Sequence, residues 1–141
     1  MSARLVRVLV VVAAGLALFG CDRLRDVKRC RTLARSVNTS LDTIEGATAK
    51  PTSSAYGQAT LEYEGLAKRL DTFDGGSPEL ARDVHEYAAF ARSSARASAA
   101  LAQGLHTNNS AAVQVNAREL ERLARQEKVI VRRIDDDCEP R

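Results

Sequence analysis

Apolar side chains recur three and four positions apart along much of this sequence, which is the period of one face of an α-helix. Val27, Cys30, Ala34, Val37, Leu41 and Ile44 form one such stripe, and Tyr56, Ala59, Tyr63, Leu66, Leu70 and Phe73 form a second. Between them GATAKPTSS, Gly46 to Ser54, mixes Gly, Pro and hydroxyl residues and predicts a loop. The next break, Phe73-Asp74-Gly75-Gly76-Ser77-Pro78, reads as a stop followed by a start. Gly75 suits the left-handed conformation past a helix end, Ser77 suits an N-cap, and Pro78 suits a first turn. A third helix is predicted from Pro78 to Gly104, with the stripe Leu80, Val84, Tyr87, Ala91, Ser94, Ser98, Leu101 and Leu105. Its middle, SSARASAA, carries only small side chains apart from Arg96. Asn108-Asn109-Ser110 then ends that region and can cap a fourth helix, whose stripe is Val113, Ala117, Leu120, Ala124, Glu127, Val131 and Ile134, with Cys138 in line. Asp135 to Asp137 oppose the dipole at that helix's end, so the last turn is expected to fray. No stretch alternates with the period of a strand. The expected fold is all-α: an antiparallel, up-down-up-down four-helix bundle.

The first residues follow a different pattern. Arg4 and Arg7 precede Val8 to Phe19, a continuous apolar run. About a dozen residues fits the hydrophobic stretch of a secretory signal and falls short of the ~20 needed to span a bilayer. A buried core helix is the competing reading, and the charged residues from Asp22 onward weigh against it. Leu18-Phe19-Gly20-Cys21 resembles the lipobox of bacterial lipoproteins: Leu18, Gly20 and Cys21 match, and Phe19 is bulkier than usual at its position. The resemblance covers residues 1–21 only. It implies cleavage before Cys21 and a diacylglycerol thioether on Cys21, so that residues 1–20 are a signal peptide and 21–141 a single lipid-anchored domain. The alternative is an ordinary cleaved signal and a soluble periplasmic product. One acyl chain holds a protein only marginally, whereas two or three anchor it stably. In some bacteria Asp at the position of Asp22 marks retention at the inner membrane; the choice between inner and outer membrane stays open.

The lipobox changes how the other sulfurs are read. The chain has three cysteines. With Cys21 lipidated, Cys30 and Cys138 remain, and an even pair in an oxidising compartment implies a disulfide. It would close a loop of about 109 residues. In the predicted topology the start of helix one and the end of helix four share one end of the bundle, where these two cysteines fall, so two inferences converge. Two unrelated buried thiols are the plainer alternative; zinc is disfavoured because there is no CxxC and only two His. Aromatics make up 4% of the chain and Trp is absent, so the core is thin and a cross-link would offset that.

Charge narrows the partners. The formal net charge is +3, but Arg4 and Arg7 belong to the leader. Without them 19 basic side chains face 18 acidic ones, which argues against a dedicated nucleic-acid binder. A local excess remains directly after the anchor: Arg23, Arg25, Lys28, Arg29, Arg31 and Arg35. Anionic headgroups attract such residues at roughly 1 kcal/mol each near the surface; a solvated helix face is the alternative. The bundle would then sit base-inward on the bilayer, with the loops at 46–54 and 104–110 pointing away, available to a partner.

Catalytic signatures are missing. His85-Glu86-Tyr87-Ala88-Ala89 begins like HExxH but ends in Ala89. His85 and His106 on one helix would stand roughly 30 Å apart at 1.5 Å per residue, too far to share a metal. There is no CxxCH, Gly-rich phosphate loop or GxSxG. Asp135 to Asp137 lack calcium-loop spacing and read as a solvated acidic tail. Glu127 interrupts an apolar stripe; it either edges out to solvent, the ordinary outcome, or accepts a bond from Tyr87 or pairs with an Arg inside the bundle. The sequence therefore points to a non-enzymatic, membrane-anchored envelope lipoprotein without cofactor or metal, binding or scaffolding an envelope protein. The alternatives are a small-ligand-binding bundle at the membrane surface and, for assembly, a homodimer through the Ala/Ser face of helix three.

Overall fold

The computed structural model describes residues 27–139. They form four helices: α1 over 27–48, α2 Ser53–Asp71, α3 Pro78–His106 and α4 Ser110–Cys138. Among the described residues there is no strand. Successive helices pack on one another, and the ends of the first and last meet at Cys30 and Cys138, which makes the antiparallel four-helix bundle.

Local sequence sets the helix starts. The Thr52 side chain accepts from the Ala55 amide, Ser77 from Leu80 and Asn109 from Ala112, each satisfying an otherwise unpaired donor of a first turn. Pro78 occupies the first turn of α3 as its fixed φ allows. The α2–α3 turn needs glycine: Gly75 has φ +115° and Gly76 φ +86°, backbone that an L side chain rarely adopts. The guanidinium of Arg29 also lies against Gly75, 2.2 Å from where a Cβ would stand.

The ends differ from expectation in three places. Gly46 does not break α1, which continues to residue 48, so the α1–α2 connection is shorter than the Gly and Pro content suggests. Gly104 does not end α3. It is buried where α3 and α4 converge, and a Cβ there would stand 3.2 Å from the Val113 backbone nitrogen. The left-handed residue past the helix is Asn108, at φ 52°. Finally, Asp135 to Asp137 do not unwind α4, which stays helical through Cys138. The disulfide and the packing of Ile134 and Cys138 against the core hold the last turn in spite of the dipole.

Helix α3 is the central element. Leu80, Val84, Tyr87, Ala91, Ser94, Ser98 and Leu101 are buried as the stripe predicts, and Ala88, Phe90, Ala95 and Ala97 widen that face. The small residues in the middle of α3 thus let its neighbours approach inside one chain; Ser94, Ala95, Ala97 and Ser98 are not on the surface. The two outer helices are rotated relative to their predicted stripes. On α1 the buried line is Leu33, Val37, Ser40 and Ile44, while Ala34 is exposed and Leu41 half-buried. On α4 only Leu123 and Ile130 are buried; Leu120, Glu127, Val131 and Ile134 are half-buried and Ala124 is exposed. These half-covered residues line the seam between α1 and α4, which is open in part above the disulfide.

Candidate functional site

The base of the bundle carries the cystine and the basic residues. The Sγ atoms of Cys30 and Cys138 lie 2.04 Å apart and their Cα atoms 5.8 Å apart. Cys21, Arg23, Arg25 and the predicted leader, residues 1–20, lie outside the described residues. Of the remaining basic side chains, Lys28, Arg31 and Arg35 are exposed and spaced to share the outer strip of α1's first turns. Arg29 is half-buried and turns toward Gly75 in the α2–α3 connection.

Two polar sets lock helix pairs and were not singled out by the sequence. Asp83, 1% exposed on α3, accepts from Arg82 Nε at 3.0 Å and faces Arg133 Nε of α4 at 3.3 Å. Arg133 also pairs with Glu86. Between α1 and α2, the buried Ser40 hydroxyl donates to Glu62 at 2.7 Å, and Arg69 donates to both Ser40 and Glu62. The Ser40 bond, more than Arg69, holds the Glu62 carboxyl below its usual range against the opposing effect of burial.

The remaining polar cluster sits at mid-height on the α1–α4 seam. The Tyr87 hydroxyl, from the fully buried core of α3, donates to Glu127 Oε1 of α4 at 2.5 Å. Glu127 thus takes the internal option, and the bond is one of the two alternatives open for it. Tyr63 of α2 and Ser94 of α3 lie alongside. Ser94 is 1% exposed, and its Oγ, though next to the Tyr63 phenol, makes no hydrogen bond of good geometry. Phe90 holds both tyrosines edge-on, with ring centroids 6.2 Å from Tyr63 and 5.1 Å from Tyr87. Burial, then the Glu127 charge, pushes the Tyr63 phenol up to about 12. Tyr87 is raised as well, by burial first and then by its bond to Glu127.

Two clefts meet at this bond. Toward the base, one of about 430 Å³ runs between α1 and α4 over Val37, Leu41, Val131 and Ile134, with Tyr87 in its wall. Toward the opposite end, one of about 200 Å³ has Glu127, Ser94, Tyr56, Tyr63 and Phe90 in its wall. The sequence contained a partial signal for this site. The lone Glu127 and the Ser94 of an apolar stripe were visible, but nothing in a periodic pattern shows that Tyr63 and Tyr87 converge on one carboxylate, with Tyr56 in the same cleft.

Among the described residues no three His, Cys, Asp or Glu side chains come together as a metal site, and no helix is long and apolar enough to cross a membrane. His85 is exposed on α3. Compared with protein-family models, curated proteins and solved structures, the chain matches none.

Proposed function

We propose that this protein is a non-enzymatic component of a bacterial cell envelope, anchored by lipid on Cys21, facing the periplasm, and serving to bind or scaffold another envelope protein. The observation that supports the reading is the meeting of Cys30 and Cys138. A disulfide between distant residues persists in an exported protein and is rare in a reducing cytosol. Its position at the base puts the cystine nine residues from the anchor and directs the connections at 49–52 and 107–109 away from it. Those connections, with the exposed Val115 beside them on α4, form the surface a partner would meet.

The anchor is tested by mass spectrometry of the N-terminal peptide from purified protein and by incorporation of labelled palmitate. Expected are diacylglycerol on Cys21 and loss of the label in Cys21→Ser. A full-length chain starting at Met1, unlabelled and in the cytosol, overturns the reading. The partner is sought by cross-linking in intact cells, where substitutions in the two distal connections should remove the cross-linked protein.

A second reading, a small-ligand-binding bundle, is favoured by one specific observation: the cleft beside Glu127 has a carboxylate and three aromatic rings in a single wall.

A further inference from the structure

The wall of the upper α1–α4 cleft presents a negative charge without a positive partner. Glu127 accepts one hydrogen bond, from Tyr87, and none of the ion pairs among the described residues includes it. A half-buried carboxylate is better stabilised by a counter-charge than by one neutral donor. The same wall holds Tyr56, Tyr63 and Phe90, so the carboxylate shares its cleft with three aromatic rings. Aromatic faces attract cations, most strongly where water is displaced. The Ser94 hydroxyl lies buried behind this wall, next to the Tyr63 phenol. Ile44, Ala59, Leu120 and Ala124 add apolar surface and Thr48 and Ser98 two neutral hydroxyls, so Glu127 is the one ionisable carboxylate of a lining that suits a carbon body. The space, about 200 Å³, admits a small molecule and excludes a folded chain.

We propose that this cleft binds a small organic ammonium ion, its nitrogen against Glu127 and its apolar body against the Tyr56, Tyr63 and Phe90 rings. The site rests on the second reading above and is independent of lipid attachment. It makes use of a concentration of aromatics in a chain that has few: three Tyr, three Phe and no Trp. Tyrosine emission therefore reports on the site without interference.

The experiment titrates the full chain in detergent with phenethylammonium, and in parallel with 2-phenylethanol, which has the same body and no charge. Expected is a saturable change in tyrosine emission for the amine with a Kd below about 1 mM, and binding at least about tenfold weaker for the alcohol. Glu127→Gln keeps an acceptor for Tyr87 and should weaken the amine at least about tenfold. Ala124→Phe, at the exposed rim, should block the cleft without touching the core, and decides the matter if Glu127→Gln loses its helical signal. Equal binding of amine and alcohol overturns the ammonium assignment while leaving a ligand-binding bundle. No saturable change with either probe to about 10 mM overturns both, as does amine binding that survives Ala124→Phe; the Tyr87–Glu127 bond is then only a link between α3 and α4.

Discussion

Tyr87 is buried and its hydroxyl donates to the Glu127 carboxylate, a combination with a measurable stability signature. Replacing it by Phe keeps the ring that packs on Phe90 and removes only the hydroxyl. Glu127 is half-exposed, so water replaces part of the lost bond, and the expected cost is about 1–2 kcal/mol. Urea denaturation should show a lower midpoint at unchanged slope. The phenols add a pH dependence. The folded-state value of Tyr63 is raised to about 12 and that of Tyr87 is raised too. Unfolded phenols ionise near 10. A group raised on folding stabilises fully below its unfolded value and loses that contribution as pH climbs toward its folded value. Stability from these two residues is therefore complete below about pH 10 and falls above it. Phenolate absorbance at about pH 11 should stay low while the protein is folded and jump when urea unfolds it; a full phenolate signal from folded protein would contradict the burial of Tyr63 and Tyr87.

At the scale of helices, α1 and α4 explain both what the sequence disclosed and what it hid. The starts of α3 and α4 were legible because caps are local: Ser77 and Asn109 each accept from the amide three residues on, and Pro78 fixes its own φ in the first turn. Gly75 was legible for the same reason. The rotation of the outer helices was not. A stripe such as Leu120, Ala124, Glu127, Val131 and Ile134 marks an apolar side, but α4 meets α3 through Leu123 and Ile130, one position round. In a closed bundle both lines would be covered; at a seam open in part, one of them lines a cleft. Gly104 was misread for a related reason, since a glycine needed for helix approach looks, in sequence, like one that ends a helix. The disulfide is what ties α1 to α4 at the base, across a sequence separation of 108. Cys138→Ser should cost about 2–5 kcal/mol. Hydrogen exchange should then accelerate first in α1 and the last turns of α4, ahead of α2 and α3. Uniform acceleration across all four helices would show that the seam is held by more than the cystine. Gly75→Ala tests the turn below it and should cost about 1–3 kcal/mol from backbone strain.

For the whole molecule, the arrangement of charge predicts a standing orientation. The base carries Lys28, Arg31 and Arg35 on the outer strip of α1, all exposed, immediately after the segment that leads to Cys21. Lys50, in the connection after α1, marks the opposite end of that helix. If Cys21 carries lipid, as proposed, the base is confined to within a short tether of the bilayer, and anionic headgroups then add roughly 1 kcal/mol for each basic side chain near the surface. Lysine acylation reads this with native residues. On vesicles containing phosphatidylglycerol, Lys28 should react about fivefold more slowly than in detergent, and Lys50 at an unchanged rate. Raising the salt to about 0.5 M shortens the screening length to a few ångströms and should restore Lys28 without releasing the proposed anchor. Neutral vesicles should give no protection. If Lys28 and Lys50 are protected equally, the bundle lies flat; if Lys50 alone is protected, the distal end faces the membrane and the surface left for a protein partner is the base.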